Sequence, residues 1–117
     1  VGLLKEHAHD EAFVTAGFGA LASIAQHQSG ANECTSAGLV RHTMNSMRNL
    51  GDSCGPHFSE EAMTLLANLA LVERNIAEMM DGNVVDLVNA AIDHHCSDPS
   101  NPEPGVLTAA VTLLQRL

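Results

Sequence analysis

Apolar positions along the chain fall into helical stripes separated by short polar stretches. Val84, Leu87, Val88 and Ala91 recur at i, i+3, i+4 and i+7, one face of a helix. Val106, Ala109, Ala110, Leu113 and Leu117 keep the same phase, as do Ala62, Leu65, Leu66 and Leu69, and Val40, Thr43, Met44 and Met47. Arg74 to Asp81 reads as a shorter helix, with Gly82 expected in the left-handed conformation that closes a helix end. Polar stretches follow the second helices: "GDSCGPHFSEE" from Gly51 to Glu61, and a Pro-, Ser- and Asn-rich loop from about His94 to Pro104. Ser59 is expected to cap the helix that begins there.

These pieces recur. "EAMTLLANLA" starting at Glu61 lies over "GVLTAAVTLL" starting at Gly105, an offset of 44. "ALASIA" from Ala20 lies under "LLANLA" from Leu65, an offset of 45, and Gly38 precedes Gly82 by 44. The order short helix, medium helix, loop, long helix therefore repeats, in parts 1–26, 31–71 and 74–117 of one domain spanning 1–117. A unit this small cannot bury its apolar stripe alone, and stacking of neighbours closes the core as an α-solenoid. The expected fold is all-α, about two complete three-helix repeats with partial repeats at both ends.

Composition fits helices. The chain is 45 % hydrophobic yet has three Phe, no Trp and no Tyr, so its core must be aliphatic and rich in helix formers. Fourteen acids against five Lys and Arg give a net charge of −9. That excludes the cation clusters of a nucleic-acid binder and of an anionic-membrane binder, so any partner chosen by charge is basic. The three cysteines Cys34, Cys54 and Cys96 are odd in number and widely spaced, pointing to a reducing, intracellular and cytoplasmic setting, the nucleus included. No apolar run reaches the roughly 18 residues of a membrane span. Val1 and Leu117 both lie in apolar sequence, so the chain is expected to be a piece of a longer protein, or to associate through its ends.

With the parts in order, "LLANLALVERNIAEMMDGNVVDLVNAA", Leu65 to Ala91, resembles the armadillo repeat signature. The features shared are an L-x-N-L-A run ending the third helix, an Asn/Arg pair opening the first helix, an acidic-Gly break and an apolar second helix. The resemblance is strongest in the middle unit, and HEAT repeats are the alternative. In the first unit, Thr35 and Ser36 stand where Met79 and Met80 supply a large apolar pair. The family implies a right-handed superhelix whose third helices line a concave groove for extended peptides or other proteins. Its peptide binders carry a ladder of Asn, each with a Trp one helical turn earlier. Asn68 falls on the Asn position with Thr64 on the Trp position, and the equivalents are Ser23 with Gly19 and Thr112 with Thr108. One rung of three is kept and no Trp is present, which implies a shallow, hydroxyl-rich groove.

Asn68 has two readings. Its amide can donate to and accept from a peptide main chain, or it can make a structural bond to a neighbouring helix. Glu60 and Glu61 can meet a basic ligand or simply suit the helix dipole. Cys54, His57, His94 and Cys96 form an N/S set of the kind zinc takes, though without a known zinc spacing. With His7, His9 and His95 they are expected on loops along one edge, where polar solvated loops are the plain alternative. No G-x-S-x-G, P-loop, H-E-x-x-H or G-x-G-x-x-G is present, so no catalysis and no cofactor are expected. The expected role is a non-catalytic interaction scaffold binding a protein or peptide along the third helices. The alternative is a purely structural segment that packs on neighbouring repeats or on itself.

Overall fold

The computed structural model describes residues 11–51, 53–100 and 103–117. Seven helices account for most of them, and no strand occurs among the described residues. They are α1 (Glu11–Ile24), α2 (Gln28–Ser36), α3 (Leu39–Leu50), α4 (Pro56–Leu69), α5 (Glu73–Asp81), α6 (Val84–Cys96) and α7 (Pro104–Arg116). The predicted order holds in α2, α3 and α4 (9, 12 and 14 residues) and recurs in α5, α6 and α7 except that the last two are equally long (9, 13 and 13 residues). None is long and apolar enough to cross a membrane.

Helix ends differ from expectation in two places, each for a physical reason. Ser59 does not cap α4. The helix starts earlier, at Pro56, where the ring pre-sets φ and the missing N–H is one that a first turn leaves unbonded anyway. Ser59 then lies inside α4, 1 % exposed, with its hydroxyl 3.2 Å from Nε2 of His95 on α6. Nor is Gly82 left-handed (φ −88°). Among the described residues the left-handed ones are Gly38 (φ 75°) and Asn83 (φ 61°), each just before a medium helix, and Glu103 (φ 48°), just before α7. Asn tolerates this region better than most residues, so the structural equivalent of Gly38 is Asn83, 45 positions on. Gly82 sits where the end of α5 settles on α3: a Cβ there would come within 2.6 Å of Met44 Cε, the tip of a flexible side chain that can move aside.

The three long helices form a row with α4 in the middle. Near the start of α4, the Gly55 N–H donates to Oε2 of Glu11 at the start of α1 (3.0 Å); near its end, Asn68 reaches Ala22 near the end of α1. On the other flank Glu60 lies against Gly105 and Asn68 against Arg116, again start to start and end to end. The three therefore run in the same direction. With a neighbour on each flank, α4 buries Phe58, Ala62, Met63, Leu65, Leu66 and Leu69 completely, as a helix apolar on most sides must. Phe58 packs on Phe18 of α1 with ring centroids 5.7 Å apart. The stripe Val40, Thr43, Met44 and Met47 on α3 faces the same core, as do Val84, Val88 and Ala91 of α6.

Polar ties join one unit to the next. Asn75, 2 % exposed, donates through Nδ2 to the Leu69 carbonyl at the end of α4 (2.8 Å) and to Thr35 Oγ1 of α2 (2.7 Å). The Thr35 hydroxyl passes its own proton to the Ala31 carbonyl (2.7 Å). Thr35, which departs from the apolar pair of the other unit, is thus the acceptor that Asn75 requires. Arg48 of α3 donates to the Gly82 carbonyl at the end of α5 (3.0 Å), a favourable place for a cation. By contrast Thr43, fully buried, has no partner for its hydroxyl among the described residues.

These two buried polar side chains should respond to substitution with opposite signs. Asn75→Ala removes two buried hydrogen bonds at once, leaving the Leu69 carbonyl with the Val72 N–H alone, and should cost about 1–3 kcal/mol in urea unfolding. Thr43→Val keeps the shape and removes an unpaired hydroxyl, so it should raise stability by about 1 kcal/mol. A stability loss for Thr43→Val would mean that this hydroxyl has a partner.

Candidate functional site

One helical turn separates Glu60, Thr64 and Asn68 on α4, so they share a face. Gly105, Thr108 and Thr112 do the same on α7. The parallel row brings the two sets together along a shallow groove of about 220 Å³, floored by Ala67 and Ala109. Gly105 makes room at one end, since a Cβ there would lie 2.5 Å from Oε1 of Glu60. Thr64 donates its hydroxyl proton to the Glu60 carbonyl (2.8 Å) and Thr112 to the Thr108 carbonyl (2.9 Å). Both oxygens keep the capacity to accept. The Thr108 side chain is exposed.

Asn68 closes the other end of the groove, and its structural reading is realised. Its Nδ2 donates to the Ala22 carbonyl of α1 (2.8 Å), while its Oδ1 accepts from Nη1 of Arg116 on α7 (3.3 Å). The same Arg116 nitrogen donates to the Ala67 carbonyl (2.8 Å), one of the last-turn carbonyls of α4 that a cation satisfies well. One side chain therefore ties all three long helices. It keeps one amide hydrogen and one lone pair for anything that enters the groove. Sequence reading missed Arg116, although a lone cation in the last turn of α7 was the available signal.

The other expected groove residues divide. Glu61 turns away from α7 toward α1, where a Cβ on Gly19 would lie 3.0 Å from its Oε2. Gly19 and the exposed Ser23 belong to this second seam, between α1 and α4. The adjacent acids Glu60 and Glu61 thus serve different seams. His57 stands over both, with Nδ1 3.3 Å from Glu60 Oε2 and Nε2 3.9 Å from Glu61 Oε1.

The zinc set does not assemble. Among the described residues no three His, Cys, Asp or Glu side chains converge in a metal-binding arrangement. The Cys54 thiol is pushed up from its ordinary pKa by burial and by the Glu11 carboxylate, and the Cys96 thiol by burial and by Glu103. Both shifts disfavour the thiolate. Cys96 instead lies 3.9 Å from the Glu103 carbonyl, and His94 meets His95 edge-on at 4.6 Å. The histidine edge is also not made of loops: His57 is in the first turn of α4, and His94 and His95 are in the last turn of α6. His7 and His9 lie outside the described residues.

Compared with models of known families, with curated proteins and with solved structures, the chain matches none of them. The groove's own chemistry is therefore the guide. Asn68→Ala removes two inter-helix bonds at once and should lower stability by about 1–2 kcal/mol. A double-mutant cycle with Arg116→Ala should show the two side chains to be coupled; strict additivity would contradict the shared clamp.

Proposed function

We propose that this chain is a non-catalytic interaction module of the armadillo kind, holding an extended peptide or protein segment in the groove between α4 and α7. In this reading the row α1, α4, α7 is a stretch of right-handed α-solenoid, and the long helices are its third helices. Support comes from the recurring helix order and from the parallel row. The observation that carries the proposal is the meeting of Thr64, Asn68, Thr108 and Thr112 in one groove with a carboxylate, Glu60, at one end. An extended chain offers main-chain N–H and C=O groups in alternation, and a line of hydroxyl and amide groups can pair with both. Glu60 selects a basic side chain, in keeping with the net charge of −9. An intracellular, cytoplasmic setting belongs to the same reading.

The clamp formed by Asn68 favours a second reading: a structural segment whose polar residues serve packing between helices alone. The two separate cleanly. Selecting a random-peptide display library on this chain should enrich basic extended sequences. Glu60→Lys should weaken their binding by about tenfold, the effect of losing one charge-assisted contact. Thr108→Trp, at an exposed position, should block the groove without disturbing the core. Enriched peptides that bind both variants as they bind the parent would leave only the structural reading.

A further inference from the structure

The residues lining the groove include one charged side chain, Glu60, among small, hydroxyl and amide groups. Its carboxylate lies over Gly105, where a Cβ would come 2.5 Å from Oε1 and 3.0 Å from Oε2. The same Oε2 also meets His57, 3.3 Å from Nδ1. A carboxylate only accepts, so the Nδ1 proton is donated to it. In a neutral ring that leaves Nε2 as an acceptor turned toward another acceptor, Glu61 Oε1, at 3.9 Å. Only the imidazolium offers an N–H to each carboxylate. Across the seam to α1, Glu11 lines the same hollow as His57, and no cation lines it among the described residues. Cys54, whose thiol is pushed up by burial and by Glu11, adds no charge there.

We propose that His57 is a positioning residue and a pH switch for the groove. It orients Glu60 when neutral, and when protonated it cancels the Glu60 charge and weakens the hold on a basic ligand. The inference rests on the peptide-binding reading and adds the regulation of that same site. An imidazole changes charge between about pH 5 and 8, whereas ordinary carboxylates and a thiol with a raised pKa keep theirs over most of that range. At the alkaline end His57 donates one hydrogen bond, and the full negative charge of Glu60 faces the groove. At the acid end a positive ring stands 3.3 Å from that carboxylate, and the pair is neutral toward an incoming lysine. The His57 side chain is 70 % exposed, so protons reach it freely and solvent keeps the effect moderate.

The probe is a fluorescent lysine peptide from the random-peptide selection, acetylated, amidated and free of histidine and carboxylates. Its own charge stays constant from about pH 8 to about pH 5.5. Its affinity for the parent chain should fall about threefold over that range, the size of one exposed charge pair. His57→Gln keeps an N–H donor but cannot become charged. It should bind as the parent does at the alkaline end and show a flat profile. His57→Lys, charged throughout, should bind at the alkaline end as weakly as the parent does at the acid end. Circular dichroism at both ends checks that helix content is unchanged. Equal parent affinity at both ends, or the same fall in His57→Gln, would overturn the inference and leave the groove reading standing. No peptide binding even at the alkaline end would remove the groove reading and this inference together.

Discussion

Everything in this molecule depends on holding three parallel helices side by side. Parallel packing aligns their dipoles, placing three partial positive charges at one end of the row and three partial negative charges at the other. The side chains answer that imbalance. Carboxylates gather at the starting end: Glu11 in the first turn of α1, Glu60 and Glu61 near the start of α4, and Glu103 just before α7. At the finishing end Arg116 bonds the Ala67 carbonyl, and Asn68 and Asn75 donate to the Ala22 and Leu69 carbonyls. The polar groups that a search for ligand sites singles out first are therefore also the ones the packing demands.

Close approach is the second half of the constraint. Gly19, Ala22, Ala67, Gly105 and Ala109 line the seams, and their small size lets the helices settle against one another. The same smallness leaves the groove shallow. Where side chains are small there is room for the main chain of a partner but little to grip its side chains. Whatever affinity the groove has must come from hydrogen bonding along its length and from Glu60 at its end.

Much of this was legible in the chain itself, because helical spacing reports burial directly. Val40, Thr43, Met44 and Met47, or Val84, Val88 and Ala91, point inward simply because they share a face. The recurrence near 45 residues carried over to space, bringing Thr64 beside Thr108 and Asn68 beside Thr112. Other features were hidden because they depend on partners far apart in sequence. Thr35 looked like a lapse in an apolar pair until Asn75, 40 residues on, met it. Arg116 acquired its role only from Ala67 and Asn68, 49 and 48 residues before it. Gly82 and Asn83 show a subtler limit. Glycine is the default left-handed residue, yet of these two neighbours it is Asn83 that takes the left-handed conformation. The histidines misled for a related reason: proximity in the loop pattern says nothing about which way an imidazole turns.

The fork made by Asn75 bears on how the chain comes apart. Repetitive helical proteins with purely local contacts can fray from their ends, one unit at a time. Here a single amide grips α2 of one unit and the end of α4, and it stands on α5 of the next. Fraying of α2 would strip Asn75 of an acceptor in the core, and loss of α5 would take the Asn75 amide from the Leu69 carbonyl, leaving it the Val72 N–H. The fork therefore couples the two halves, so that fraying at one end carries a cost at the other.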